Sequence, residues 1–415
     1  MSVETWQRFR LADVLTDVFA GAWGDSPTDK RAANVQVLRA TNIDSDGRID
    51  YRSPAHRVFA SQDISRKRLQ VGDLLLEASG GGPGTPVGRV ALHVGADSEI
   101  VFACSNFFRA MRPNRNVILP GYLACVLERL YRSPEIWRYQ QQTTGLVNLK
   151  FRDYLNQWLL IPPLREQQRI VELINVLSDA KRGIEASIAK LRDVRRGAVL
   201  TCLASVSANH PPKGWVRTPL RDVVPMAEYG ISEALNRDGR GTPVLRMNNV
   251  RNGRIDSREL RYCPAPVPQQ LYLRYGDVLF NRTNSIDHVG KAAMWRDELP
   301  STTFASYLVR LNPDCSRMSP EYLVEWLMHP AIRQRVRSIS TVAVQQVNVN
   351  PSRLRELEID YPADLPEQRR IVSALESCDE QIAQEEGELT KLRELKVGLV
   401  DDLLSGRVAV SVTEG

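Results

Sequence analysis

Histidine is scarce and cysteine is scattered in this chain of 415 residues. Its five histidines never fall within five residues of one another, and its six cysteines (Cys104, Cys125, Cys202, Cys263, Cys315, Cys378) form no Cys-x-x-Cys pair. A zinc site needs closely spaced ligands that converge on one ion, so no metal site is expected, and the thiols read as buried and reduced. No apolar run approaches membrane-spanning length. The opening Met1-Ser-Val-Glu-Thr-Trp-Gln-Arg-Phe-Arg10 carries no secretory apolar core, which places the expected location in the cytoplasm with no membrane attachment. Catalytic signatures are missing as well. There is no Gly-x-x-x-x-Gly-Lys-[Ser/Thr] phosphate loop, no Gly-x-Ser-x-Gly and no His-Glu-x-x-His. There is also no Asn-Pro-Pro-aromatic run of the kind that holds the amino group of a flipped adenine. The nearest string, Asn209-His210-Pro211-Pro212, is a linker. The expectation is a chain without catalytic residues or a cofactor of its own.

What is present reads as ordinary globular protein, with 43% hydrophobic and 25% charged residues. The formal charge of +6 conceals an asymmetry. Residues 363–415 hold 6 basic against 12 acidic residues, and residues 1–362 hold 49 against 37. A basic body with an acidic closing segment suits a polyanion at one place and protein at another.

The strongest signal is that the sequence is written twice. Trp6-x-Arg8-x-x-Leu11-x-Asp13-Val14 returns as Trp215-x-Arg217-x-x-Leu220-x-Asp222-Val223. Val37-Leu38-Arg39 with Asn42-Ile43 returns as Val244-Leu245-Arg246 with Asn249-Val250, and each is followed by Gly-Arg-Ile-Asp. Gly72-Asp73, Val87-Gly88-Arg89, Phe102-Ala103 and Tyr122-Leu123 pair with Gly276-Asp277, Val289-Gly290-Lys291, Phe304-Ala305 and Tyr322-Leu323. Glu166-Gln167 with Arg169-Ile170-Val171 pairs with Glu367-Gln368 and Arg370-Ile371-Val372. Two copies of this length are duplicated domains rather than a solenoid, whose units run about 20–50 residues. Each copy opens with a mixed strand-and-turn region and closes on a periodic helix, an α+β plan. The turn punctuation sets the expected boundaries at 1–162 and 209–362 for the globular parts, with helical segments at 163–208 and 363–415.

Both helical segments carry heptads. Ile170, Leu177, Ile184 and Leu191 repeat every seven residues, and Leu375, Ile382, Leu389 and Leu403 lie seven or fourteen apart. Sustained heptads argue for a coiled-coil seam. Residues 163–205 hold 8 bases and 5 acids, and residues 363–410 hold 6 and 11, so the helices are expected to pair with each other. Related halves in one chain favour a pseudo-two-fold arrangement, which makes the coiled coil antiparallel. At about 1.5 Å per residue, roughly 38 helical residues span about 57 Å, the dimension of a spacer.

Polar residues recur at matching places in the globular parts. Arg39, Asn42 and Arg89 in the first copy answer to Arg246, Asn249 and Lys291 in the second. Gln142, Thr143 and Asn148 lie in a stretch that corresponds to Gln345, Gln346 and Asn348. The glycine-rich run from Ser79 faces Asn281, Arg282 and Asn284, so the frame is shared and the chemistry is not. Arg, Asn and Gln can make paired hydrogen bonds to purine edges, and Ser and Thr serve base or phosphate. These sixteen residues are the candidate DNA-contacting set.

Two variable regions, each followed by a long helix opening with Pro-Leu-Arg-Glu-Gln-Gln-Arg-Ile (163–170) or Leu-Pro-Glu-Gln-Arg-Arg-Ile (365–371), resemble the specificity subunits of type I restriction-modification enzymes. Phe280-Asn-Arg-Thr-Asn-Ser285 followed by Val289-Gly-Lys291 is similar to a run common in their target-recognition domains. The resemblance implies two such domains that read the halves of a split, asymmetric sequence in double-stranded DNA. It implies helices that fix the unread gap and dock two methyltransferase subunits, with motor-nuclease restriction subunits completing the complex. S-adenosylmethionine, ATP and Mg would then sit on those partners. A methyltransferase-specificity enzyme with its own active site, or a DNA-binding repressor, would differ in needing a methyl-donor site or no spacer helices.

Overall fold

The computed structural model describes residues 6–82, 84–95, 100–143, 145–343 and 346–408, with backbone alone for Thr143 and Ala343. They form two compact units: one holds the described residues up to Ile184 together with those from Glu388 onward, and the other spans Glu185–Gly387.

The first unit is built on four small sheets. Leu15–Ala20, Phe108–Pro113, Leu74–Glu77 and Val90–Leu92 lie in that order in an antiparallel sheet. Ala55–Arg57, Val35–Leu38 and Phe102–Cys104 make a mixed sheet whose second pair is parallel. Gln140–Thr143, Leu146–Leu149 and Ser79–Gly81 make a third, and Gln7–Arg10 pairs with Trp158–Ile161.

The second unit repeats these four sheets and adds a two-stranded one, Val250–Arg251 with Arg254–Ile255. Its antiparallel sheet runs Met226–Tyr229, Leu308–Asn312, Val278–Asn281, Ala292–Met294. Arg261–Cys263, Thr242–Leu245 and Thr303–Phe304 form the mixed sheet, and Thr283–Asn284, Gln346–Asn348 and Thr341–Ala343 the third. Trp215–Pro219 pairs with Glu358–Pro362.

One sequence match is corrected by the strand register. Leu38 lies opposite Cys104, and Leu245 opposite Phe304. Cys104 is therefore the counterpart of Phe304, two residues from the Phe102 that the letters suggest. A shift of two keeps every side chain on its face of the sheet, so the apolar pattern looked the same.

The heptad helices run Leu164–Cys202 and Leu365–Ser405. Within each unit their segments lie antiparallel. In the first, Ile170 and Ile174 share an apolar cluster with Leu403 and Leu404, and the Lys396 ammonium donates to the Ser178 hydroxyl at 2.8 Å. In the second, Ser187 meets Glu385 at 3.0 Å and Arg195 meets Asp379 at 2.7 Å, while Arg192 pairs with Glu386 at 2.6 Å. The pairing of a basic helix with an acidic one is thus realised side chain by side chain. The seam is uneven. Ile170, Leu375, Leu389 and Leu403 are buried, whereas Leu177, Ile184, Leu191 and Ile382 are half-buried. The ends of the helices join the apolar clusters of the sheets.

The repeated Glu-Gln at the start of each helix has a plain structural use. The fully buried Gln167 amide donates to the carbonyls of Val117 at 2.9 Å and Pro162 at 2.8 Å, and accepts from the Leu119 N–H at 2.7 Å. Gln368 does the same with Arg317 at 2.8 Å, Pro362 at 2.9 Å and the Ser319 N–H at 2.8 Å. In the first unit the Trp6 indole also donates to Glu166 at 3.1 Å. Replacing Gln368 by leucine leaves two carbonyls and one N–H buried without partners. The expected loss is about 3 kcal/mol in denaturant unfolding of the full chain, since an orphaned buried polar group costs about 1–3 kcal/mol. A change below about 0.5 kcal/mol would show that the clamp is not needed.

Candidate nucleic-acid interface

The third sheet of each unit gathers many of the candidate residues. Successive side chains on a strand point to opposite faces. Val147 and Leu149 are buried, so Asn148 between them lies on the other face, and the same holds for Asn348 between Val347 and Val349. Asn148 is registered with Gln141 on one neighbouring strand and Ser79 on the other. Asn348 is registered with Thr341 and Thr283, and the Thr283 hydroxyl donates to the side-chain Oδ1 of Asn348. Each unit thus carries a three-strand polar row, Ser79–Asn148–Gln141 in the first and Thr283–Asn348–Thr341 in the second. Gln142, Asn284 and Gln346 lie on the same strands outside the row, opposite Val147, Val347 and Ala343. Gln345 lies outside the described residues, as does the side chain of Thr143.

A second set of candidates builds the turns beside these sheets. Asn42 is buried; it accepts from the Arg39 N–H at 2.9 Å and donates to the carbonyls of Ser53 at 3.0 Å and Asp50 at 3.3 Å. Asn249 accepts from the Arg246 N–H at 2.9 Å and donates to Asp256 at 2.7 Å and Glu259 at 3.2 Å. The carboxylates at Asp50 and Asp256 each hold an arginine two residues on, and Arg52 draws Asp50 down to about 2. Arg89 donates to the carbonyls of Ile43 at 3.1 Å and Ala40 at 3.2 Å, and Arg39 to Ser53 at 2.8 Å. Asn281 is fully buried, its amide 3.5 Å from the Met247 carbonyl.

Three cations complete the picture in the second unit. Arg282 lies over the Tyr229 ring at 5.1 Å, and Lys291 sits 2.8 Å from His288 Nδ1. Arg246 is half-buried, and its Nε has no partner among the described residues. Burial, and then the neighbouring Arg261 charge, push its guanidinium below the ordinary arginine value. Such a group gains from an incoming anion or base acceptor. Among the described residues no three His, Cys, Asp or Glu side chains stand together as a metal site.

Sequence reasoning missed Gln141, Thr283 and Thr341. Alternation with Val147 and Val347 was the available signal, because it fixes which neighbours share a face with Asn148 and Asn348.

The sequence profile of the type I restriction modification DNA specificity domain matches residues 212–394. A putative type I restriction enzyme specificity subunit of Methanocaldococcus jannaschii, MjaX, is 27% identical over 47% of this chain and 46% of its own length. The EcoKI specificity subunit of Escherichia coli K12 is 24% identical over 82% of this chain and 74% of its own. The chain is similar to type I restriction enzyme specificity subunits, with residues 212–394 carrying the match to their DNA specificity domain. It thus spans about half the length of the archaeal relative and three quarters of the enteric one.

Solved structures agree on the fold. A chain from a study of complex assembly and conformational transition in a type I R-M system superposes with a TM-score of 0.59, at 20% identity, over 96% of this chain and 97% of that one. The S subunit from M. genitalium gives 0.57 at 12% identity, over 98% and 97%.

The turn-building and the strand-borne candidates separate by experiment. Asn249→Ala should lower stability by about 2–3 kcal/mol, because three buried hydrogen bonds go with it. Gln346→Ala, at an exposed strand position, should stay within about 0.5 kcal/mol. Equal losses in denaturant titrations of the two variants would remove the distinction.

Proposed function

We propose that the chain reads a two-part, asymmetric sequence in double-stranded DNA, with residues 1–162 and 209–362 each reading one half. The observation that carries this reading is the repeated four-sheet frame with a different polar row in each copy. A shared frame places side chains at the same points, and different side chains there favour different base edges. Bidentate groups such as Asn148, Asn348 and Gln141 suit adenine, while Arg246, Arg282 and Lys291 suit guanine or phosphate.

In this reading the helical segments 163–208 and 363–415 set the unread gap and receive two methyltransferase subunits, and restriction subunits join that assembly. The chain contributes recognition and no bond-making step. S-adenosylmethionine, ATP and Mg belong to the partners. The acidic closing segment suits protein rather than DNA, and the basic remainder suits the phosphate backbone, whose contacts position the reader without specifying sequence.

Exchanging residues 1–162 for those of another family member tests the division of labour. Methylome sequencing of cells carrying the hybrid should show one half-site changed and the other kept. Both halves changing together would end the two-reader proposal.

A further inference from the structure

An exposed aromatic ring occupies the same tight turn in both units. Phe107 and Tyr307 are 44% and 47% exposed. Each is the third residue of a turn closed by one hydrogen bond, from the Phe108 N–H to the Ser105 carbonyl at 3.0 Å and from the Leu308 N–H to the Ala305 carbonyl at 2.8 Å. Lone exposed apolar residues are ordinary on protein surfaces. The same residue class at one turn of both copies, where the letters differ, is not.

The turns are held rigidly from two sides. A neighbouring chain segment comes so close that a Cβ at Gly21 would lie 2.0 Å from the Ser105 carbonyl oxygen, and one at Gly230 would lie 2.1 Å from that of Phe304. Only glycine permits that approach. On the other side the carbonyl of Phe107 accepts from the N–H groups of Ala78 at 2.8 Å and Ser79 at 3.2 Å. The carbonyl of Tyr307 accepts from the Arg282 N–H at 3.1 Å. The aromatic residue is thus tied by its own backbone to the strand that supplies Ser79, or Thr283, to the polar row. In the first unit a Cβ placed on Gly80 would lie 3.7 Å from the Phe107 ring.

We infer that Phe107 and Tyr307 are specificity-determining residues, each setting its ring against a base of the half-site that the adjoining polar row reads. The inference rests on the DNA-reading function proposed above. Its chemistry is that of a rigid apolar surface. Polar rows recognise hydrogen-bonding edges, and a ring adds what they lack, namely contact with the apolar parts of a base. Aromatic side chains give large contact area at low cost in rotamer freedom, and a backbone pinned on two sides lowers that cost further.

The test uses the full chain reconstituted with the modification subunits and challenged with a random-sequence duplex library. The wild type should enrich a two-part sequence. Phe107→Ala should lose base preference by roughly 5- to 150-fold, the size of an ordinary base contact, at one or two positions of one half only. Tyr307→Ala should do so in the other half. Phe107→Tyr and Tyr307→Phe should keep the wild-type profile, and the salt dependence of binding should be unchanged in all four, because no phosphate contact is removed. Unchanged alanine profiles would overturn the inference, and so would a uniform loss of affinity with base preferences intact, which is the mark of a structural ring. A wild type that enriches no two-part sequence would overturn the DNA-reading function itself, and this inference with it.

Discussion

A buried primary amide fixes each long helix to its globular part, and the remainder of the unit is arranged around it. Gln167 and Gln368 each join three pieces of backbone: the loop before the helix Pro120–Arg132 or Pro320–Met328, the end of the last strand, and the start of the heptad helix. An amide offers two donors and an acceptor in one plane, and here all are used on backbone that would otherwise be orphaned. No apolar residue of that volume could do this. Because the clamp sits at the first turn, it fixes the direction and rotation of everything downstream. Ile170, Ile174, Ile371 and Leu375 face the core as a result, and the heptad line begins where it does.

Much of this architecture can be read from the letters, because duplication doubles every signal. The two long paired helices, the opposed charges along them and the order of the matched motifs all carry through to the coordinates. What cannot be read is the reason a letter recurs. Asn42 and Asn249 repeat because a turn needs one side chain that accepts from a backbone N–H and donates to two carbonyls. That requirement leaves the same trace in a sequence as a contact to ligand would. Phe107 and Tyr307 show the opposite failure. Their letters differ, so motif matching passes over them, although their backbones stand in the same place.

Strand register decides the candidate sites in a way composition cannot. Gln141 and Gln142 are adjacent and chemically identical, but only Gln141 shares a face with Asn148 and Ser79. The pleat period of two settles the matter once the buried valine is known. The same rule explains why the Phe-Ala match could slide by two residues unnoticed. Apolar strands tolerate such a slip in comparison, while a polar row does not.

The make-up of the first compact unit has a consequence for how such chains diversify. It is closed by residues from Glu388 onward, which belong to the second copy of the repeat. A recombination event breaking at the repeat boundary therefore inherits one helix from each parent, and those two must still fit along Ile170, Ile174, Leu403 and Leu404. A single break before Leu164, or a pair of breaks at 203–214 and 363–364, moves a globular part whole and leaves the inherited seam intact. Selection on hybrids should then freeze the helices while releasing the globular parts, so that variation gathers on an unchanging mount.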